Sequence, residues 1–195
     1  MNKKFAIAFA LGGILLCSAL SSCVGRGGYE SAPYTAVKTE GAFEIRDYPE
    51  IVVATNTMPG NKRSQNSGFM NLFRYISGQN EAKQKIAMTT PVFSKTSGDR
   101  QEMSFVLPDE IAKNGAPKAN NNRITVNKRQ AGRFAVYRYS GRWTEARDKK
   151  ARETLAEWGK AQQLTLTSVM EKASYDPPFT PPFMRRNEIL VRINK

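Results

Sequence analysis

The chain of 195 residues contains no histidine and only two cysteines. Without an imidazole, the sequence excludes Ser-His-Asp and Cys-His catalysis, histidine-ligated zinc or iron, and a histidine pH switch. The body of the chain has no apolar run of about 20 residues, so several membrane-spanning helices are excluded. The remaining composition, with 40% hydrophobic and 24% charged residues, is typical of one globular domain.

Both cysteines, Cys17 and Cys23, lie in an N-terminal segment that has the layout of an export leader. Lys3 and Lys4 precede an apolar run from Phe5 to Leu20, which is short for a membrane span. The stretch Leu20-Ser-Ser-Cys23 resembles a bacterial lipobox, in which cleavage leaves an acylated Cys23 as the first residue. We therefore expect a lipoprotein. A signal peptide without lipidation and an uncleaved anchor are the alternatives.

The lipobox divides the chain into three parts. We expect residues 1–22 to be the signal peptide, residues 23–33 to be the lipidated cysteine with a Gly/Ser tether, and residues 34–195 to be the domain. A multiply acylated cysteine anchors a protein stably to a membrane. Val24 stands where lipoproteins retained in the inner membrane of diderm bacteria commonly carry Asp, which favours the periplasmic face of the outer membrane.

Acidic residues are scarce relative to basic ones, at 17 against 30, which gives a formal charge of +13. Removal of Lys3 and Lys4 with the signal peptide leaves 28 − 17 = +11. This surplus indicates an anionic partner, either the membrane surface or an acidic small molecule. Because the basic residues are scattered and export is expected, we predict no nucleic-acid partner. We also expect a monomer. For any single basic residue, a solvated surface position is the alternative.

After the tether, the chain runs twice through one pattern of elements. Apolar alternation predicts strands at 43–48, 51–57, 85–93 and 102–107, and again at 124–128, 133–139, 164–175 and 187–193. Each half also contains one predicted helix, at 67–76 and at 144–158. Ser67 is the expected cap of the first helix, and Gly78 and Gly159 are the expected stops.

The two halves keep a common register, since the spacing from Phe43 to Ile124 equals the spacing from Gly78 to Gly159. Such an internal repeat predicts two β-β-α-β-β units, neither of which buries its apolar face alone. We expect an α+β fold in which the units form a curved sheet or distorted β-barrel flanked by two helices. A cleft is expected between a helix and the mouth of the sheet.

Five stretches, in order, resemble the SOUL heme-binding protein family. They are Phe43-Glu-Ile-Arg-Asp-Tyr-Pro-Glu50, Phe69-Met-Asn-Leu-Phe-Arg-Tyr-Ile-Ser-Gly78, Lys85-Ile-Ala-Met-Thr-Thr-Pro-Val92, Met103-Ser-Phe-Val-Leu-Pro108 and Tyr175-Asp-Pro-Pro-Phe-Thr-Pro-Pro-Phe-Met-Arg-Arg-Asn-Glu188. The last stretch is the most specific. The resemblance implies a tandem-repeat distorted barrel similar to small-molecule effector-binding domains. It also implies reversible, non-covalent binding of heme or another tetrapyrrole, with no reaction established for the family.

The absence of histidine limits how heme could be held. Some family members are described as using a histidine on the iron, whereas here an axial bond would have to come from Tyr, Met or a thiolate. We therefore expect a hydrophobic slot for the macrocycle, basic residues for the two propionates, and absent or unusual iron coordination.

In family members without an iron-bound histidine, the pocket lies along the first helix. The candidates from this helix are Phe69, Met70, Phe73 and Arg74. The expected opposite wall is Met88 with the loop residues Phe179 and Phe183, and the expected carboxylate ligands are Lys62, Arg63, Arg185 and Arg186. A core position is the alternative for Phe69, Phe73 and Met88. An internal salt bridge with Glu188 is the alternative for the last two arginines.

Motifs for catalysis are missing. The sequence has no Gly-x-Gly-x-x-Gly, no phosphate-binding Gly-x-x-x-x-Gly-Lys-Ser/Thr and no Ser-x-x-Lys, so we predict a binding protein and not an enzyme. Two other hypotheses stay open. One is a binding module for a different apolar anion, such as a lipid or a porphyrin precursor, and the other is a structural envelope lipoprotein whose pocket has filled in.

The lipobox generates the first testable prediction. Cys23→Ser removes the sulfur that carries the lipid, so the protein should move from the membrane fraction to the soluble or precursor pool, as measured by fractionation and detergent partitioning. Unchanged partitioning of the variant would count against lipidation.

Overall fold

The computed structural model describes residues 28–59 and 62–194. Within them, nine strands form one antiparallel sheet, a short parallel pair lies beside it, and three α-helices are present. The strands are β1 (Glu30–Ser31), β2 (Thr35–Glu40), β3 (Phe43–Tyr48), β4 (Ile51–Pro59), β5 (Thr89–Thr90), β6 (Val92–Ser97), β7 (Arg100–Val106), β8 (Ile124–Arg129), β9 (Gly132–Tyr139), β10 (Leu166–Ser174) and β11 (Asn187–Ile193). The helices are α1 (Lys62–Ile76), α2 (Asp109–Asn114) and α3 (Glu145–Ala161), and a 3-10 turn spans Pro182–Met184. The predicted signal peptide and Cys23 lie outside the described residues.

The order of the large sheet, β2-β3-β9-β11-β10-β6-β7-β4-β8, agrees with the two predicted repeats. Apart from β2, the order is symmetrical about the seam between β10 and β6. The first strand of each repeat is exchanged, because β3 pairs with β9 of the second half and β8 pairs with β4 of the first. β3 and β4 lie near opposite ends of the sheet, and only residues 49–50 link them. β8 and β9 are likewise far apart in the sheet and are linked by residues 130–131 alone. The two ends must therefore lie close together, so the sheet is strongly curved.

The expectation of a distorted barrel is corrected, because the sheet does not close. In the described part of the chain, β2 and β8 are the two edges of the sheet and do not pair with each other. β2 is exposed along its whole length and has a register shift between Ala36 and Lys38, and both features are typical of an edge strand. The α+β class with flanking helices is confirmed.

Several predicted boundaries are also corrected. α1 begins at Lys62, so Ser67 lies inside the helix and does not cap it. Residues 85–88 leave the predicted strand, and Ile86 donates its N–H to the carbonyl of Ile76 at 2.8 Å instead of to a neighbouring strand. The end of the predicted tether belongs to the fold, since β1 pairs with β5 and Ala32 is buried.

The two predicted helix stops behave differently. Gly78 ends α1 with φ +100°, and the N–H of Gln79 donates to the carbonyl of Arg74 at 2.9 Å, as in a Schellman motif. α3 continues past Gly159, and the residue with positive φ beyond its end is Gln163. Gly159 packs closely on β10, because a Cβ there would lie 2.5 Å from Cδ1 of Leu166 and the leucine side chain would have to shift.

Apolar side chains divide between the two faces of the sheet by strand alternation. On the outer face, α1 covers the first half around Leu72 and Phe105, and α3 covers the second half around Leu155 and Ile189. The inner face carries a third cluster, which the curved sheet itself encloses. The members of all three clusters lie between Ala32 and Ile193, so residues 24–195 contain all of them.

The inner face also buries a network of charged groups. The guanidinium of Arg46 donates to both carboxylate oxygens of Glu188, at 2.7 and 3.0 Å, and neither side chain is exposed. Glu44 accepts from Arg46 at 2.7 Å, and Glu188 also accepts from Arg186 at 2.6 Å and from the Tyr175 hydroxyl at 3.0 Å. Two guanidinium groups thus balance two carboxylates in a region where an unpaired charge is strongly destabilising.

This network generates a stability prediction. Glu188→Gln keeps the size of the side chain but leaves Arg46 and Arg186 without a full counter-charge, so the free energy of unfolding should fall by about 3–5 kcal/mol. Asp47→Asn is the matched control on a residue next to Arg46. It removes only the exposed pair with Arg133, at 2.7 Å, and should cost less than about 1 kcal/mol in urea unfolding.

The same variants have an expected pH dependence. Burial favours a raised pKa for Glu188, but the hydrogen bonds and charges of Arg46 and Arg186 outweigh burial and hold that pKa below its ordinary 4.5. The stabilisation is therefore complete above the ordinary value and is lost as pH falls through the lower, folded-state pKa. Glu188→Gln should flatten this acid branch of the stability curve, and an equal acid branch in both proteins would contradict the assignment.

Candidate functional site: a cleft at the seam of the sheet

A cleft of about 210 Å³ opens on the outer face of the sheet at the seam between its halves. Its floor consists of outward side chains of β10 and β6, where Lys172 pairs with Ser94 and Ser174 with Val92. The remaining walls are Tyr29, Phe69, Met88, Thr89, Thr90, Met103, Tyr175, Asp176, Pro177 and Pro178. Most of this lining is apolar.

The cleft follows from the way the helices cover the sheet. α1 packs on β4 and β7, whereas α3 packs on β9, β10 and β11. Each helix therefore covers its own repeat and leaves the junction of β10 with β6 open. The turn after β10 begins at Tyr175 and forms the rim, where Pro177 and Pro178 line the cleft and restrict the backbone angles.

Among the described residues that line the cleft, Lys172 is the one with a basic side chain. Its ammonium lies 4.4 Å from the centre of the Trp143 ring, and no carboxylate in the described ranges lies within salt-bridge distance of it. Burial lowers the pKa of Lys172 to about 8, with Asp148 opposing this effect and Arg152 adding to it. The site thus holds a partly desolvated cation whose protonated form an anionic ligand would stabilise.

The structure brings two of the candidate residues into the cleft, Phe69 and Met88. Phe73 stacks on Phe69 with ring centres 6.2 Å apart, and about half of its surface is exposed. Met70 is similarly exposed, and Arg74 lies on the solvent side of the same helix. Apolar surface therefore continues from the cleft onto α1. The side chains of Lys62 and Arg63 lie outside the described residues.

The remaining candidates lie away from the cleft. Phe179 and Phe183 point into solvent on the loop beyond the rim. Arg185 donates to backbone carbonyls of the same loop, including that of Thr180 at 2.8 Å. Arg186 forms the internal salt bridge with Glu188, which was the alternative for this residue. The structure therefore does not bring these four residues together with the cleft.

Sequence reasoning missed Lys172 and Met103. Both lie in strands that were predicted, and strand alternation places each on the outer face. A lysine on a strand is ordinarily interpreted as facing solvent, because alternation does not show that the seam between two helices is partly enclosed. One sequence signal could have identified Lys172. It lies two residues before Ser174, so both side chains are on the same face of β10, next to the proline turn that follows the strand.

A larger cavity of about 530 Å³ lies on the inner face, but its charged groups are already engaged. Lys128 pairs with Glu50, and Arg192 donates to the backbone carbonyls of Gln130 and Ala131. Arg129 contacts Glu171 at 2.7 Å, and Lys95 contacts Glu102 at 3.0 Å. One nitrogen of Arg129 has no hydrogen-bond partner in the described residues, but the guanidinium lies over three aromatic rings, including that of Phe134 at 4.4 Å. The smaller outer cleft is therefore the better candidate for an anionic apolar ligand.

Comparison with models of known protein families shows to which family the chain belongs. The model of the SOUL heme-binding protein family matches residues 29–192. The chain belongs to this family. The match includes every residue of the cleft. Comparison with curated proteins gives no match.

Solved structures share the fold of this SOUL domain at low sequence identity. The C-terminal domain of EcmrR is 15% identical with a TM-score of 0.57, over 78% of this chain and 97% of that chain. A hydrolase from Listeria innocua is 10% identical with a TM-score of 0.58, over 81% and 94% of the two chains. An uncharacterized conserved protein from Listeria innocua is 9% identical with a TM-score of 0.60, over 78% and 92%. At these identities the likeness shows an effector-binding-like fold alone.

Two further findings concern the described residues of the SOUL domain. None of their helices has the length and apolar character to cross a bilayer. No group of three or more Asp, Glu, Cys or His side chains within the same residues is placed to bind a metal ion.

The environment of Lys172 generates a stability prediction. Its pKa is lower in the folded chain than in the unfolded chain, so the charged amine destabilises the fold at neutral pH, and this effect disappears as pH rises through about 8 toward 10.5. Lys172→Met should therefore raise the free energy of unfolding by about 1–3 kcal/mol at pH 7, and by less near pH 10.

Lys95→Met is the matched control, since Lys95 lies on the inner face of β6 and is paired with Glu102. The control should be neutral or slightly destabilising at both pH values. A lower free energy of unfolding for Lys172→Met at pH 7 would contradict the prediction that the charged amine destabilises the fold.

Proposed function

We propose that this protein binds heme or a related tetrapyrrole reversibly in the outer cleft, as a lipid-anchored protein of the cell envelope. Membership of the SOUL family supports tetrapyrrole binding at the level of the family. The observation that carries the proposal for this chain is the desolvated ammonium of Lys172 among apolar walls, without a carboxylate partner in the described residues.

The cleft fits one edge of such a ligand. Its volume of about 210 Å³ is below that of most pockets that enclose a drug-sized molecule, so the macrocycle would be only partly enclosed. Phe69 and Met103 offer apolar surface to the ring, and the exposed part of Phe73 extends that surface along α1. Lys172 would hold one propionate by a charge-assisted hydrogen bond.

The side chains of the cleft favour weak iron coordination. Met88 and Met103 are thioethers in its lining, and the chain has no histidine to offer. The Tyr175 hydroxyl is already engaged with Glu188 on the inner side of the sheet. We infer that the ring and the propionates contribute most of the affinity and that the iron contributes little.

A hemin titration of residues 24–195 tests the proposal, followed by absorbance and tryptophan fluorescence. We expect saturation at one equivalent and similar affinities for hemin, zinc protoporphyrin and metal-free protoporphyrin. Trp143 lies beside Lys172, whereas Trp158 stacks on Phe43 under α3, so Trp143→Phe should remove more of the quenching than Trp158→Phe.

Charge variants define the role of the amine. Lys172→Met should weaken binding about tenfold, whereas Lys95→Met should leave it unchanged. The affinity should also fall as pH rises above about 8, because the amine then loses the proton that holds the propionate. A loss of more than about tenfold on removal of iron, roughly 1.4 kcal/mol, would contradict binding through the ring and propionates.

The small volume of the cleft favours one second candidate, a single-chain lipid anion such as a fatty acid. Such a ligand would use Lys172 in the same way. Lipid that co-purifies with the domain and is released by denaturing extraction, together with hemin binding that does not saturate, would replace the tetrapyrrole with this candidate.

A further inference from the structure

The loop beyond the rim of the cleft presents two phenylalanines to solvent. Phe179 is 84% exposed and Phe183 is 77% exposed, and Met184 beside them is 48% exposed. Single exposed apolar residues are ordinary on a protein surface. Large apolar side chains grouped at one loop tip indicate contact with an apolar partner.

The loop is held in this outward conformation by its own bonds. Prolines at 177, 178, 181 and 182 fix its backbone angles. The N–H of Thr180 donates to the carbonyl of Pro177 at 3.0 Å, and that of Met184 to the carbonyl of Pro181 at 2.9 Å. The guanidinium of Arg185 closes the loop by donating to the carbonyl of Thr180, at 2.8 Å. Because the backbone is ordered before contact, a partner would bind it with little loss of conformational entropy.

Two basic side chains lie beside the Phe183 end of the loop. A depression beside Phe183 is lined by Pro182, Arg142 and Arg147, and both arginines are exposed. None of the described residues that line this depression is acidic. The tip is therefore apolar at its end and cationic at its base.

This combination matches the surface of an anionic bilayer. Aromatic rings partition into the interfacial layer, while arginines beside them reach anionic headgroups. We propose that residues 177–184 form a membrane-docking loop, in which Phe179 and Phe183 enter the interfacial layer and Arg142 and Arg147 bind headgroups. The occupant is a lipid surface and not another protein, because the cationic base complements a layer of negative charge.

Docking would also orient the cleft. Pro177 and Pro178 line the cleft and lead directly into the loop, so docking brings the mouth of the cleft to the bilayer. An apolar anion could then pass between membrane and cleft with little exposure to water. This consequence rests on the proposed function, whereas docking itself does not.

Vesicle binding tests the proposal on residues 24–195, which lack the predicted signal peptide and Cys23. The probes are vesicles of phosphatidylcholine with and without phosphatidylglycerol, separated by flotation. We expect binding to the anionic vesicles and a loss of about tenfold or more for Phe179→Ser/Phe183→Ser. Arg142→Gln/Arg147→Gln should lose roughly fivefold per charge at low salt, and less at about 0.5 M NaCl.

Matched controls change equivalent groups elsewhere on the surface. Val37→Ser/Val126→Ser removes two other exposed apolar side chains, and Lys113→Gln/Arg123→Gln removes two other exposed charges. Both controls should bind as the parent does. Phe183→Trp should retain binding, and its added emission should shift to the blue and be quenched by brominated lipid.

Three results would overturn the proposal. They are equal binding of the parent and Phe179→Ser/Phe183→Ser, absence of binding to anionic vesicles, and self-association that depends on the loop without vesicle binding. The last result would mean that a second copy of the chain covers the loop. No tetrapyrrole is present in these assays, so a failure of docking leaves the result for the cleft unaffected.

Discussion

The ion pair between Arg46 and Glu188 constrains the register of three neighbouring strands, β3, β9 and β11. Arg46 lies on β3 and Glu188 on β11, and β9 runs between these strands. The two side chains meet on the inner face, and both hydrogen bonds of the pair form only when β3 and β11 keep their register with β9. A slip of one residue in either strand would turn its charged side chain toward the outer face. The buried ion pair therefore favours the register in which β3 pairs with β9 of the second repeat.

The exchange of strands in turn creates the functional surface. Once β3 and β8 have crossed to opposite halves, the repeats meet through β6 and β10, and each helix stays over its own repeat. The seam between them then carries a cleft on the outer face. Lys172 lies on this seam with a lowered pKa, whereas Arg46 and Arg129 on the inner face are ion-paired. A charged side chain that lowers the stability of the fold is more typical of a binding site than of a residue with a structural role.

Sequence reasoning predicted the repeats, the two long helices and most strands, because apolar alternation at the period of a strand or a helix is a local signal. The resemblance to the SOUL family predicted Phe69 and Met88 as site residues, and both line the cleft. Strand alternation places Lys172 on the outer face, but its partly enclosed position could not be predicted, because the seam depends on pairing between β6 and β10, which belong to different repeats. The open edges of the sheet and the internal partner of Arg186 also depend on contacts between distant segments, which a one-dimensional pattern does not contain.

Residues 175–188 show how one stretch of sequence serves structure and surface together. At its two ends, Tyr175 and Glu188 share a buried hydrogen bond, so the stretch leaves and re-enters the sheet at fixed points. Between them, Pro177 and Pro178 form the rim of the cleft, and the backbone bonds of the next residues hold Phe179 outward. A loop tied at both ends to a buried charge network keeps its tip in place without packing that tip against the domain. The same constraint that sets the register of the sheet therefore also positions the part of the surface that meets a partner.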